Sequence, residues 1–288
     1  FSPPFAAQLY AATGQRAPAV ERSTACLRDN VVVLIGSRRF GDQSGIGRVA
    51  REVNRGNAPA VIASLAEPGS DVAWFREQRP SDRHSPVFAR IVAGYGDYRR
   101  SVLESADVAE VFSAFNRFRV LCAVRSGLAG VDGMNRIIED ALWPQRLRHA
   151  AQWYPGRAVM MMRNDYTTGL YNGDIGIALR TTDAHSPLRV YFPSPSGYRG
   201  FHPARLPRHE TVYAMTVHKS QGSEFDEVLL LLPDEESKVL SRELLYTAIT
   251  RARRRFELCA SARSVTAAVE RRVTRASGLA ARLDAGSA

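Results

Sequence analysis

The chain is nearly without lysine. Its 39 basic residues include only two lysines, Lys219 and Lys238, and neither follows a glycine. No G-x-x-x-x-G-K-[ST] loop therefore exists in these 288 residues, which excludes that device for cradling phosphates. Leu229 to Glu236 is apolar and then acidic. It reads as a buried strand ending in a solvated acidic turn at Pro233, because no phosphate-loop strand stands for it to pair with. Cysteine is scarce as well. Cys26, Cys122 and Cys259 are odd in number and widely spaced, which excludes a disulfide framework and a C-x-x-C metal site and predicts reduced core thiols. No apolar run approaches the roughly 20 residues of a membrane-spanning helix. No signal peptide is visible. The first residue is Phe1 and not Met, and the expectation is a C-terminal part of a longer protein.

What is present is arginine and apolar side chains. Net charge is +10 and the apolar share is 45%. That share supports a buried core, and the length suffices for one large or two ordinary domains. The charge favours a polyanionic partner. Charge alone leaves a second reading open, in which Arg251 to Arg255 and Arg271-Arg272 are ordinary solvated helix faces.

Residues 1–30 lack periodicity and hold Pro3, Pro4, Gly14 and Pro18, which reads as linker or loop. Val31 to Ile35 is a short β-branched run, a buried-strand pattern closed by Gly36. Ile46, Val49, Ala50 and Val53 fall at helical spacing, with a stop at Asn54-Arg55-Gly56. Residues 58–110 are mixed and partly helical. Arg119 to Val124 reads as another buried strand. Asp132 then caps a helix with the stripe Met134, Ile137, Ile138, Ala141 and Leu142, closed by Trp143-Pro144. Alternating strand and helix point to a parallel sheet with crossovers.

From about Gly156 the texture changes. Ala158 to Met162, Ile175 to Leu179, Val190 to Phe192 and Tyr198 to His202 are short strands, and Asn172-Gly173 is a hairpin signal. They predict a small β-barrel inserted into the α/β domain. The α/β pattern resumes with strands at Thr211 to Val217 and Val228 to Leu232. Ser241 caps a helix with the face Leu244, Leu245, Ala248, Ile249 and Ala252. Phe256, Leu258 and Ala260 alternate as a last strand, and 263–283 reads as a C-terminal helix.

Several stretches carry candidate chemistry. Arg251 lies beside the apolar stripe near the end of its helix. It is either a surface arginine or a fork of donors that reaches an oxyanion across an interface. The turn 216–226 follows a strand, which sets His218 and Lys219 at a sheet's C-terminal edge, where α/β proteins bind ligands. Thr216 and His218 can donate to a phosphate, Gly222 permits close backbone approach, and Glu224 can accept from a hydroxyl. A plain polar turn fits equally. Ser37 to Gly47 joins a strand to a helix and is glycine-rich, a weak phosphate-binding signal. The tips Arg163-Asn164-Asp165 and Tyr171-Asn172-Gly173-Asp174 are explained by turn chemistry or by contact with a nucleic-acid strand, Asn164 being the stronger candidate.

These stretches also carry a resemblance. Thr216-Val217-His218-Lys219-Ser220-Gln221-Gly222-Ser223-Glu224-Phe225-Asp226 resembles motif V of superfamily 1 helicases. Tyr246-Thr247-Ala248-Ile249-Thr250-Arg251-Ala252-Arg253 resembles motif VI, and Ser37-Arg38-Arg39-Phe40-Gly41 resembles motif IV. Gly36 to Gly56, Arg157 to Ala178, Pro203 to Asp226, Arg242 to Arg255 and Ser277-Gly278-Leu279-Ala280-Ala281 are similar to the RecD family, the exodeoxyribonuclease V alpha subunits. The similarity runs over most of residues 31–282.

The resemblance implies ATP hydrolysis coupled to 5′-to-3′ movement on single-stranded DNA in recombinational double-strand break repair. It makes Arg251 the arginine finger and Arg39 a second γ-phosphate ligand. It sets Gly222 and Glu224 at the nucleotide, and Thr216, His218, Lys219 and Asn164 at the DNA. Arg38 stands where the family commonly has an adenine-stacking tyrosine, and its guanidinium plane can also stack. The implied fold is α/β. A RecA-like parallel sheet, domain 2A, occupies residues 31–155 and 209–288. An SH3-like β-barrel, domain 2B, occupies 156–208, and 1–30 is the linker from an upstream motor domain. The implied cofactor is ATP with Mg2+, whose metal ligands and most phosphate ligands are expected upstream of Phe1, so no metal ligand is assigned here. The implied partners are DNA and RecB-like and RecC-like subunits, in the cytoplasm and without a membrane. Two other readings stay open: a non-catalytic DNA-binding or assembly subunit that kept the fold, and a helicase that works alone. Intact Arg39, Glu224 and Arg251 argue against the non-catalytic one.

Overall fold

The structure is a computed structural model. It describes residues 1–19, 29, 40–41, 44–67, 69, 71–76, 79–104, 107–143, 152–180, 187–234 and 237–273. Two compact units are distinguished, one of residues 1–41 with 274–288 and one of residues 42–273.

In the first unit the helix α1 spans Pro3–Thr13, where the residue pattern reads as loop. Its punctuation belongs to the helix. Pro3 and Pro4 stand in the first turn, where a missing N–H is harmless. The Ser2 hydroxyl caps the Phe5 amide, and Gly14, at φ 69°, closes the end in the left-handed conformation. The strand expected at Val31 to Ile35 lies outside the described residues, as does Cys26.

The second unit opens with α2 (Gly45–Arg55), which buries Ile46, Val49, Ala50 and Val53 and ends at Gly56. Then come α3 (Ala58–Ala66), β1 (Val72–Phe75), α4 (Pro86–Gly94), α5 (Gly96–Leu103) and α6 (Val108–Arg117). The strand β2 (Phe118–Cys122) is buried throughout, and α7 (Val131–Leu142) follows. The cap of α7 is Gly130, and Asp132 sits one residue inside the first turn. There its carboxylate still favours the positive helix end.

Five short strands come next: β3 (Ala158–Met161), β4 (Ile175–Leu179), β5 (Arg189–Ser194), β6 (Gly197–Phe201) and β7 (His209–Thr211). They pair antiparallel in the order β6-β5-β4-β3-β7. The chain then returns through β8 (Ala214–Thr216), β9 (Phe225–Leu231), α8 (Arg242–Ile249), β10 (Ala252–Cys259) and α9 (Ala262–Glu270). Here β1, β10, β9, β2 and β8 form a second sheet in that order, parallel throughout. This is a RecA-like parallel sheet, with the antiparallel sheet set between α7 and β8.

Further elements differ from the residue pattern. Thr211 to Val217 is not one strand. The Asn135 side chain accepts from the Tyr213 and Ala214 amides, both at 2.7 Å. A side chain so takes the ladder bonds, and the chain changes sheets between β7 and β8. The run after Arg251 is the strand β10 and not a helix face, because it pairs with β9 and β1 on either side. The edge strand β1 lies inside the segment that reads as mixed, and its partner β10 is far away in sequence. The helix expected over 263–283 ends at Glu270, where Arg271 is already extended and residues 271–273 are not helical; residues 274–283 lie outside the described residues. Cys122 and Cys259 are buried and form no disulfide, as their spacing predicts.

A buried aromatic cluster sits where the chain passes between the two sheets. Trp143 Nε1 donates to the Tyr213 hydroxyl at 2.9 Å, and the Tyr213 and Tyr98 hydroxyls both donate to the Gly156 carbonyl, at 2.6 and 2.8 Å. Gly156 has φ 84°, and a Cβ there would stand 2.2 Å from the Trp143 ring. Trp143 and Gly156 flank the entry to the antiparallel sheet and Tyr213 its exit. Each buried bond contributes about 1 kcal/mol net, and an orphaned partner costs about 1–3.

Candidate functional site: two edges of one sheet

Thr216 is the last residue of β8, level with Cys122 of β2, so it lies at the C-terminal edge of the parallel sheet. A short 3-10 turn, Val217–Ser220, follows. Its threefold repeat buries Val217 and Ser220 and leaves His218 and Lys219 exposed. The Thr216 hydroxyl accepts from the Lys219 amide at 3.4 Å. Its proton remains available to donate outward, since a hydroxyl does both.

This turn reaches the antiparallel sheet. Lys219 Nζ donates to Asn172 Oδ1 at 3.0 Å, and the Asn172 amide donates to Asn164 Oδ1 at 2.9 Å. The expected strand-binding residues Thr216, His218, Lys219 and Asn164 are thereby brought together. Asn172, the weaker candidate by sequence, is the link between them.

Gly222 and Glu224 lie on the way to the opposite edge. Gly222 has φ 86° with nothing within 4 Å of a Cβ, so its turn conformation and not crowding calls for glycine. Phe225 begins β9, and its amide donates to the Arg251 carbonyl at 3.0 Å. Arg251 itself stands past the end of α8, in the turn that leads into β10, and not on the helix face where periodicity sets it. Its Nη1 donates to the Ser223 carbonyl at 3.1 Å and its Nε to the Thr247 carbonyl at 3.2 Å. The Glu224 carboxylate accepts from Arg253 Nε at 3.0 Å. Arg253 is a residue that sequence reasoning passed over, because it sat in a run that read as a helix face.

Gly222, Glu224 and Arg251 thus gather at the N-terminal side of β9 and β10, and Thr216, His218 and Lys219 at the C-terminal side of β8. A seven-residue strand separates those edges by about 20 Å. Residues 217–224 connect them directly. Arg38 and Arg39 lie outside the described residues. Among the described residues no group of three or more His, Cys, Asp or Glu is placed to hold a metal, and no helix is long and apolar enough to cross a membrane.

A parallel sheet with an antiparallel sheet inserted between α7 and β8 is an α/β fold of the helicase type. Residues 211–258 match the family model of the UvrD-like helicase C-terminal domain. The chain is similar to the RecBCD enzyme subunit RecD of Mycolicibacterium smegmatis, 38% identical over 262 residues, which cover 88% of this chain and 44% of that one. It is also similar to the ATP-dependent RecD2 DNA helicase of Deinococcus radiodurans, 36% identical over 147 residues, which cover 50% of this chain and 20% of that one. A crystal structure of Pif1 helicase from Bacteroides, in complex with ADP-AlF3 and single-stranded DNA, aligns with a TM-score of 0.33 at 15% identity, covering 70% of this chain and 54% of that one.

The chain belongs to the RecD family, in the part that holds the C-terminal helicase domain. It spans less than half the length of the RecD relative it matches.

Proposed function

We propose that this chain is the C-terminal motor half of an ATP-dependent 5′-to-3′ DNA helicase, the alpha subunit of an exodeoxyribonuclease V-type complex in recombinational double-strand break repair. RecB-like and RecC-like subunits are its partners, in the cytoplasm. Residues 31–155 and 209–288 serve as domain 2A, residues 156–208 as an SH3-like domain 2B, and 1–30 as the linker from an upstream motor domain. One observation supports the reading above the others: a single loop, 217–224, runs between two chemically distinct edges of one parallel sheet.

At one edge Arg251 presents a guanidinium that neutralises charge on a departing phosphoryl group. Glu224, once released from Arg253, accepts from a ribose hydroxyl, and Arg39 is the second γ-phosphate ligand. Arg38 stacks on the adenine. ATP with Mg2+, held between this domain and an upstream one, supplies the free energy, and its metal ligands belong to other residues. At the other edge Thr216, His218, Lys219 and Asn164 donate to strand phosphates and bases. The loop couples the two, so that closing and opening of the nucleotide edge shifts the grip on the strand.

The test compares phosphate release by the 288-residue chain with that of the full-length protein, each with and without single-stranded DNA. The expected outcome is no turnover from the chain and DNA-stimulated turnover from the full-length protein. DNA-stimulated turnover by the chain alone contradicts the division of labour. DNA-independent or absent turnover in the full-length protein favours a non-catalytic subunit.

A further inference from the structure

Tyr166 is the most exposed large apolar side chain among the described residues, at 81%, and Tyr171 is 50% exposed. Both stand on the loop between β3 and β4. Their ring centroids are 6.3 Å apart at 78°, an edge-to-face pair.

The loop that carries them is braced. Asp165 and Leu170 exchange backbone bonds at 2.7 and 3.2 Å. Asp165 Oδ1 accepts from the Thr167 amide at 2.9 Å, and Asp174 Oδ2 from the Tyr171 amide at 2.7 Å. Arg199 holds the Thr168 carbonyl at 3.0 Å. Leu170 is buried in the antiparallel core with Val159, Met161 and Phe192. The two rings therefore project from a fixed frame into water. Such exposure gains nothing for folding, but a rigid frame lowers the ordering cost of any ligand that lies on the rings.

The surroundings select the ligand. Asn172, next to Tyr171, bonds Lys219, and exposed Arg163 shares the tip with Tyr166. A flat apolar face bordered by cations and amide donors, in a chain of net charge +10, suits an aromatic base attached to a polyanion. A base inside a duplex is already stacked on its neighbours, so the fitting form is single-stranded.

We propose that Tyr166, held edge-to-face by Tyr171, is a stacking platform for one base of a single strand whose phosphates cross Thr216, His218 and Lys219. The proposal rests on the reading of that edge as the strand site. Tyr171 is a positioning residue, and Tyr166 touches the base.

The experiment measures binding of oligothymidylate, and of an abasic strand of equal length, to the full-length protein across a salt series. Tyr166→Ala weakens oligothymidylate binding roughly 5- to 100-fold. Its salt slope stays unchanged, because stacking releases no counterions. Tyr166→Phe and Tyr166→Trp keep a ring and bind within about threefold of wild type on the same stacking scale. The abasic strand binds wild type and Tyr166→Ala alike. The platform is refuted by unchanged oligothymidylate affinity in Tyr166→Ala, by an equal loss on the abasic strand, or by a loss in Tyr166→Phe as large as in Tyr166→Ala. Wild-type protein that shows no salt-dependent binding overturns the strand-site reading itself, and the platform with it. Normal wild-type binding with an unaffected Tyr166→Ala overturns the platform alone.

Discussion

The Lys219 ammonium donates to the Asn172 side-chain carbonyl at 3.0 Å, across the gap between the parallel and the antiparallel sheet. Both residues are exposed, so the bond adds little to stability, below about 1 kcal/mol. Its consequence is positional: it aims Lys219 along the edge that begins at Thr216.

That aim is measurable as a coupling. In the full-length protein Asn172→Ala weakens single-stranded DNA binding by roughly 2- to 5-fold, and Lys219→Ala by more. The double variant is no weaker than Lys219→Ala, since residues that share an interaction are not additive. Strictly additive losses in the double-mutant cycle rule out positioning of Lys219 by Asn172.

Arg251 is held between the Thr247 and Ser223 carbonyls, at the head of β10. Arg251→Ala in the full-length protein keeps nucleotide affinity within a few-fold and lowers kcat by roughly 10³-fold or more. Arg251→Lys does not restore the rate, because an ammonium lacks the planar fork that binds two acceptors while facing a third. Steady-state kinetics with a separate nucleotide-binding titration decide it. A kcat within a few-fold of wild type removes the finger.

The aromatic cluster sets an alkaline limit on stability. Burial pushes the Tyr95 hydroxyl up to about 12 and also raises Tyr98, Tyr154 and Tyr213. The folded state thus binds these protons more tightly than the unfolded state, whose tyrosines titrate near 10. The stabilisation is complete below about pH 10 and is lost as pH rises above it, through about 12 for Tyr95, by up to about 1.4 kcal/mol per pH unit for each group. Urea midpoints taken between about pH 9 and pH 11 should fall. A flat profile contradicts the buried, neutral cluster.

Much of the fold was legible where short-range pattern decides it. The Ser241 cap of α8, the Gly56 end of α2 and the strand β4 needed only local spacing and capping chemistry. The split of 211–217 was not legible, because it depends on Asn135, which stands 78 residues away from Tyr213. The strand β10 was half legible. Phe256 and Leu258 alternate, but the arginines before them are equally at home on a helix, and only pairing with β9 decides. The helix α1 was missed because proline and glycine mark helix ends as well as loops. At the candidate site, motif resemblance singled out Thr216, His218, Lys219, Gly222, Glu224 and Arg251 as candidates. It did not reveal that Glu224 pairs with Arg253, that Asn172 links the two sheets, or that Tyr166 stands in water, since each depends on how distant segments meet in the fold.

The claim that the C-terminal edge of β8 grips the strand while the opposite edge holds the nucleotide is tested most directly by one salt titration. The full-length Thr216→Ala/His218→Ala/Lys219→Ala variant is compared with wild type for binding to single-stranded DNA, with nucleotide binding measured alongside. The expected result is weaker DNA binding, a log–log salt slope shallower by about 0.7 because a single lysine–phosphate pairing is removed, and unchanged nucleotide affinity. Unchanged DNA affinity with an unchanged slope contradicts the account and leaves residues 216–219 as a structural turn.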